Sequence, residues 1–480
     1  MKDREFVQRV RQHAPSSLLP VVARYGAEFA DPKKYQNPDT AIYAPWVLAE
    51  VARVSLVYGN EFRSKPATDN DLRACCAAYQ ALSDPELGQK TPEALGHFLL
   101  RMGGQQLTFQ QSYSNDLSRT VALLEQTTPG RTPEIATPGW PQRLLGCSLR
   151  EYVGTAILLY AGALKNQGRF DLRWLTEPQA EEVAREIPAS TLRRVIEDNY
   201  TADTDQIKAM QQAAEQKTGV PEAQYRRFGF NPLSGKPAVA GITDELLIPV
   251  PAYLLRKASP LGIYYAGIDC WGGKFATDLG YLFEAYVGRQ LKLLPDAVVL
   301  PEIAYGPDKA KLSVDWFVIF DDCVLLVEVK STRPTETVRL AGSGLEAALG
   351  KVLKNAVKQL NTSASMICNH MTGFEGIPDD RPLIGLVVTM EPFHTVDAPF
   401  TRSYLPQCDI PFRVCSAYEL EHLVTVSDTS VGRLLRDHFQ DQSKEGWSVE
   451  SALTGHVGVP NSVLVKAWET YPWKHEQPGS

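Results

Sequence analysis

The sequence has few cysteines and no long hydrophobic run. Its 480 residues contain eight cysteines, none of them in a C-x-x-C pair, and the N-terminus has no apolar signal segment. We therefore expect reduced thiols in a cytoplasmic protein rather than a disulfide framework. The longest apolar stretches, such as 383–390, are far shorter than the roughly 18–20 residues that a membrane span requires, so no membrane association is expected.

The sequence also lacks a strong excess of either charge. Its 49 basic and 56 acidic residues give a formal net charge of −7 at pH 7. A domain-wide basic field is absent, which argues against tight, nonspecific coating of nucleic acid. With 44% hydrophobic residues, the composition is that of a globular protein and excludes disorder as its main state.

The hydrophobic pattern divides the sequence into two parts. Residues 1–240 carry apolar residues mostly at helical spacing, which predicts a large all-α domain with a role in recognition or regulation. Within it, the Pro-, Gly- and Thr-rich segment 127–141 is typical of an exposed loop. From about residue 275 the signals follow the order helix, three strands, helix, strand, with a further edge strand at 412–415. We therefore expect an α/β domain with C-terminal helices in residues 241–480.

Two adjacent predicted strands carry charges in otherwise apolar surroundings. Asp315 lies near the start of one strand, and Glu328 and Lys330 lie near the end of the next. A symmetric two-residue turn at 321–322 would place Asp315 directly opposite Glu328. Facing residues in a hairpin have Cβ atoms about 4.5–5.5 Å apart. Since residues two apart point the same way, Lys330 would share a face with Glu328.

Two carboxylates at this separation repel unless a positive charge lies between them. A divalent cation with oxygen ligands meets this requirement, and Mg²⁺ typically takes one or two carboxylates, waters and substrate phosphate. The neighbouring Lys330 ammonium would hold a phosphate or an attacking water. A bulge in either strand would instead shift the register by one residue and put the acids on opposite faces.

This arrangement resembles the PD-(D/E)XK nuclease superfamily, which has the restriction-endonuclease-like fold. Asp315 matches the first acid of the family motif, and Glu328, Val329 and Lys330 match its E-x-K half. The residue before Asp315 is Val314 rather than proline, at a position that varies in the family. The predicted order of helices and strands is also that of the family core, a mixed-sheet α/β fold.

Two residues on predicted helices extend the resemblance. Glu284 fits the acid that members often carry on the first core helix, with an ordinary solvated glutamate as the alternative. Gln359 is similar to a glutamine that one branch carries on the helix after E-x-K. The resemblance covers about 275–390, roughly a quarter of the chain. It implies a Mg²⁺-dependent deoxyribonuclease, with Mn²⁺ as a substitute and DNA rather than RNA as the expected partner.

The resemblance also implies a role for each site residue. Asp315 and Glu328 would bind the metal, with the backbone carbonyl of Val329 as a further ligand. Glu284 would hold a second metal or a metal-bound water. Lys330 would orient the attacking water or help to deprotonate it.

A basic stripe indicates a phosphate-bearing partner. Lys351, Lys354 and Lys358 recur at i, i+3 and i+7 on the predicted helix 345–360, so they share one face. This face would contact the nucleic-acid backbone, together with Arg339 in the preceding segment. A solvated helix surface is the alternative.

Two further functions remain open. The chain could be a non-catalytic nucleic-acid-binding or interaction protein on a nuclease-like fold. It could also be a nuclease effector of anti-phage defence that stays silent until residues 1–240 sense a regulatory protein or another trigger. The retained acid pair favours catalysis, since a binding module has no use for two repelling carboxylates.

Overall fold

The computed structural model describes residues 2–84, 86–109, 112–218, 222–332, 336–340 and 345–472. It shows a mixed α/β protein with a helical N-terminal region. In the described part of the chain, no helix has the length and apolar character needed to cross a membrane.

The α-helices of the N-terminal region are joined by loops of different lengths. They are α1 (Asp3–Val10), α2 (Pro15–Glu28), α3 (Pro32–Tyr35), α4 (Pro45–Tyr58), α5 (Asp69–Gln80), α6 (Pro92–Gln106), α7 (Tyr113–Leu124), α8 (Trp140–Leu145), α9 (Leu149–Lys165), α10 (Glu181–Glu186), α11 (Ala189–Val195) and α12 (Thr204–Thr218). Local signals fix several of their starts. Ser148 forms a capping box with Glu151 at the start of α9, and Thr91 accepts a hydrogen bond from the Ala94 backbone at the start of α6.

The remaining helices follow residue 250. They are α13 (Ala252–Ala258), α14 (Pro260–Trp271), α15 (Gly273–Leu291), α16 (Glu336–Leu340), α17 (Leu345–Cys368), α18 (Pro399–Arg402), α19 (Ala417–Leu423), α20 (Val431–Gln440), α21 (Val449–Ala452) and α22 (Ser462–Trp468). The predicted helices before and after the E-x-K strand correspond to α15 and α17.

A small sheet interrupts the helical region. Its strands, in the order β1-β4-β3-β2, are β1 (Arg169–Phe170), β2 (Thr201–Ala202), β3 (Ala238–Val239) and β4 (Leu246–Leu247). The prediction of an all-α domain in residues 1–240 is therefore wrong in this detail. Two-residue strands are too short to show the alternation by which strands are recognised in a sequence.

The main sheet has five strands in the order β11-β10-β9-β8-β5. The strands from β5 onward are β5 (Val298–Pro301), β6 (Ala304–Tyr305), β7 (Lys311–Leu312), β8 (Trp316–Ile319), β9 (Val324–Lys330), β10 (Leu383–Thr389) and β11 (Phe412–Ser416). The β5-β8-β9 part is an antiparallel meander, and β9, β10 and β11 run parallel. The predicted order of elements is found, including the edge strand β11, while β6 and β7 form a separate two-stranded hairpin.

Helices cover both faces of the main sheet. On one face, side chains such as Leu325 and Val327 belong to the core that contains α15 and α19. On the other face, Leu326 packs in the core around α17, which supplies Leu353 and Leu360. Burial on both faces explains the nearly continuous apolar runs of β9 and β10.

The largest hydrophobic core crosses the predicted domain boundary. It combines α7 and α9 of the N-terminal region with the main sheet, α15 and the C-terminal helix α22. A second core lies among the first five helices and includes Tyr253 of α13. The largest core therefore contains residues from both sides of residue 240, and the division of the chain there stays a prediction.

Candidate functional site

The hairpin of β8 and β9 has the predicted register. Trp316, the first residue of β8, pairs with Val327 in antiparallel fashion. Asp315 directly precedes β8 and Glu328 directly follows Val327, so the same register sets the two acids opposite each other. The symmetric turn and the unbroken pairing of β8 exclude the one-residue shift that a bulge in these pairs would cause.

The Asp315 carboxylate is hydrogen-bonded to the neighbouring strand. Its Oδ2 accepts a hydrogen bond of 2.6 Å from the backbone N–H of Val329. Burial raises the pKa of the Asp315 carboxyl to about 6, although this hydrogen bond and the charge of Lys330 act in the opposite direction. The carboxylate is thus held in place in surroundings that disfavour its charge.

Glu328 is the most deeply buried group of the site, with 2% of its surface exposed. Its Oε1 accepts a hydrogen bond from Lys330 Nζ. Its buried Oε2 has no hydrogen-bond partner among the described residues. Burial raises the pKa of Glu328 to about 8, the nearby Asp315 adds to the rise, and Lys330 opposes it. A buried carboxylate oxygen without a partner destabilises the folded state, so Oε2 of Glu328 is a candidate ligand-binding atom.

Glu284 lies on α15, close enough to Asp315 for the two charges to interact. Its backbone carbonyl accepts a 3.1 Å hydrogen bond from the indole N–H of Trp316, which docks α15 onto β8. A Cβ at Gly288 would lie 2.1 Å from the Trp316 ring, so this close approach requires glycine. Burial raises the pKa of Glu284 to about 7, and the carboxylates of Asp315 and Glu302 raise it further.

Two charged residues of the site were missed by the sequence reasoning. Glu302 follows β5, and its Oε1 lies 3.1 Å from Nη2 of Arg131, which the loop 127–141 supplies. The negative charge of Glu302 raises the pKa values of both Glu284 and Asp315, and the positive charge of Arg131 lowers them. Neither residue belongs to a recognisable sequence motif. The loop that carries Arg131 is also far from the hairpin in sequence.

The predicted basic stripe lies on α17. Lys354 and Lys358 are exposed, as a surface that contacts phosphates requires. The side chain of Lys351 lies outside the described residues. Contact between this stripe and a nucleic-acid backbone stays a prediction.

The other two predicted substrate-binding residues have partners within the protein. Gln359 Nε2 lies 3.4 Å from the backbone oxygen of Leu312, in the segment that leads to Asp315. Arg339 donates to the Tyr265 hydroxyl at 3.1 Å and to Glu391 Oε2 at 3.2 Å. These contacts give Gln359 and Arg339 structural roles, and their part in substrate binding stays a prediction.

The acid pair has the donor chemistry of a magnesium site. Among the described residues, no group of three or more His, Cys, Asp or Glu side chains is arranged to hold a metal ion. Mg²⁺ needs fewer protein ligands, since waters and substrate oxygens complete its coordination. The unpartnered Oε2 of Glu328 and the carboxylate of Asp315 fit this requirement, and the Val329 carbonyl offers a third oxygen.

Comparison of the chain with protein-family models, with curated proteins and with solved structures finds no match. Any functional conclusion therefore depends on the geometry and chemistry of the site.

Proposed function

We propose that this protein is a Mg²⁺-dependent nuclease that hydrolyses phosphodiester bonds in DNA, on a restriction-endonuclease-like core. One observation carries the proposal: two carboxylates face each other across a buried hairpin, one has an unpartnered oxygen, and a lysine ammonium lies beside them. The sequence of α15, the β5-β8-β9 meander, α17 and β10 supports the core assignment.

A purely structural ion pair does not account for this arrangement. A structural role would be fulfilled by one acid and one lysine, whereas here Glu328 and Lys330 are joined by Asp315, with Glu284 nearby. All three carboxyls have raised pKa values, chiefly because of burial. Groups perturbed in this way cluster at sites where a ligand or a reaction offsets the cost.

Asp315 and Glu328 would hold Mg²⁺, or Mn²⁺ in its place, together with the Val329 carbonyl. The bound metal supplies charge neutralisation at the scissile phosphate and makes water more acidic. The Asp315 hydrogen bond to the Val329 N–H fixes the position of one carboxylate before any ligand arrives. A carboxylate that is already fixed in position reduces the reorganisation that the reaction requires.

The lysine and the helical acid would handle water and protons. Lys330 Nζ, held by Glu328 Oε1, is partly exposed and would orient the attacking water or hold a phosphate oxygen. The Glu284 carboxyl has a pKa raised to about 7, so near neutral pH it exists in both protonation states. A group of this kind is suited to accept a proton from water and release it again.

A cleavage assay tests the proposal. Full-length protein is incubated with plasmid, linear DNA and RNA in Mg²⁺, in Mn²⁺ and in EDTA. We expect cleavage of DNA with either metal, no cleavage in EDTA, and complete loss in Asp315→Asn and Lys330→Ala. Lys208→Ala is the matched control, because Lys208 also pairs with a nearby acid but lies on α12 in the N-terminal core.

The assay separates the proposal from its alternative. Binding of DNA in EDTA without cleavage in either metal would identify a non-catalytic nucleic-acid-binding protein. Equal cleavage by the wild type and Lys330→Ala would refute the assigned role of the lysine.

A further inference from the structure

A loop of the N-terminal helical region reaches the site. The segment 127–141 carries Arg131, whose Nη2 lies 3.1 Å from Glu302 Oε1. The same guanidinium lies 5.4 Å from the centre of the Tyr281 ring on α15, within range of a cation–π contact. Tyr281 precedes Glu284 by three residues, so the two side chains share one side of the helix.

The loop is held firmly in this position. The Asp278 carboxylate of α15, itself 2% exposed, accepts backbone hydrogen bonds from Glu134 at 2.9 Å and Ala136 at 2.8 Å, and one from Ile135. Lys274, one turn earlier on α15, pairs with Glu134. The helix that carries Glu284 therefore also fixes the loop that carries Arg131.

Arg131 is placed to exchange partners, unlike the buried arginines of the chain. Its side chain is 46% exposed, and Glu302 is 26% exposed. An ion pair with this exposure contributes little stability, so its replacement by another anion costs little. By contrast, the Arg119 side chain is 6% exposed against the fully buried Glu421. The planar guanidinium fork suits a phosphate, which it can bind through two parallel hydrogen bonds.

We propose that Arg131 binds a backbone phosphate of the nucleic acid beside the scissile bond, and that Glu302 is the competing anion that the phosphate displaces. This inference rests on the proposed nuclease function and names a contribution of the helical region to it. Arg131 would act in binding, and Glu302 would weaken the binding of any substrate that depends on that contact.

The test measures the affinity of full-length protein for a fluorescently labelled DNA duplex in EDTA over a series of salt concentrations. Arg131→Ala should weaken binding and lower the slope of log K against log salt by about 0.9, the value for one duplex phosphate contact. Arg131→Lys should keep the slope and lose part of the affinity. Glu302→Gln should tighten binding, because the competing charge is gone.

Arg169→Ala is the matched control. Arg169 pairs with Glu245 at 3.1 Å, and the two side chains are 39% and 32% exposed, close to the values of the Arg131 pair. It lies in the small sheet of the N-terminal region, so its loss should leave both affinity and salt slope unchanged.

Each result decides one question. If Arg131 only clamps the loop through Glu302, then Arg131→Ala and Glu302→Gln both break the clamp and both weaken binding, which would overturn the inference. An unchanged salt slope in Arg131→Ala would also overturn it, whatever the cleavage assay shows. Conversely, DNA binding with the expected slope change in a protein that never cleaves would retain the phosphate contact and refute the nuclease.

Discussion

Replacement of the buried Glu328 carboxylate by an amide should make the stability of the metal-free protein less dependent on pH. Burial raises the pKa of Glu328 from its usual 4.5 to about 8. A carboxyl with a higher pKa in the folded state binds more protons when folded than when unfolded. Its contribution to stability is therefore complete below pH 4.5 and is lost as the pH rises toward 8.

The size of the effect follows from this window. Between pH 5.5 and pH 7 the folded carboxyl stays mostly protonated, while the unfolded one is already ionised. At about 1.4 kcal/mol per pH unit, the wild type should lose about 2 kcal/mol of unfolding free energy over this range through Glu328 alone. Glu328→Gln cannot titrate and should escape this loss. Constant costs of the substitution, such as the lost contact with Lys330, act at both pH values and cancel in the comparison.

Urea unfolding in EDTA at pH 5.5 and pH 7, followed by tryptophan fluorescence, measures the difference. Glu181→Gln is the control, since Glu181 is 72% exposed and its removal should leave the pH dependence of the wild type intact. At pH 7, Mg²⁺ at 100 times its dissociation constant should restore about 2.7 kcal/mol to the wild type and little to Glu328→Gln. If the wild type and Glu328→Gln lose the same free energy between the two pH values, Glu328 ionises like an exposed acid and the reasoning fails.

Two predictions concern the contact between the helical region and the α/β part. Arg119→Met should destabilise the protein by about 3–5 kcal/mol in urea unfolding, because Glu421 is left as a buried charge without its main partner. The double variant with Glu421→Leu should recover much of this loss, and no recovery would argue against a buried pair. The isolated fragment 241–480 should not fold, since α7 and α9 of the helical region are part of its core. Circular dichroism measures this. A folded, cooperative fragment would contradict this.

The hairpin of the site could be predicted because its information is local. A two-residue turn between apolar strands fixes the register, and the register alone brings Asp315 opposite Glu328. The burial that perturbs both carboxyls was also foreseeable, since the flanking residues are apolar on both sides. The placement of Glu284 depends on how α15 docks on the sheet, through contacts such as the Trp316 indole on the Glu284 backbone carbonyl, which no sequence pattern specifies.

Other features depend on contacts that are distant in sequence. Arg131 reaches Glu302 across 171 positions, and the only sequence signal was that its loop is rich in turn-forming residues. Helix α2 contains Pro20, and proline disfavours the interior of a helix. The helix forms there nevertheless, because Leu19 and Val22 are packed in the core and this packing overrides the low helix propensity of proline. The contact of the Gln359 amide with the Leu312 backbone could not be predicted either, since the two residues are 47 positions apart.

Helix α15 connects the helical region to the candidate active site. Along its length, Asp278 fixes the loop of the helical region, Glu284 lies beside the acid pair, and Tyr286 donates a 2.5 Å hydrogen bond to Glu421. Glu421 is also bound by Arg119 of α7, so a change in the packing of α7 would be transmitted to the same helix. A trigger that acts on the helical region would therefore affect the site by moving α15 rather than by releasing a separate domain. Because both the loop and Glu284 are attached to this one helix, such a movement would shift Arg131 and Glu284 together, the two groups to which we assign phosphate binding and proton transfer in the proposed function.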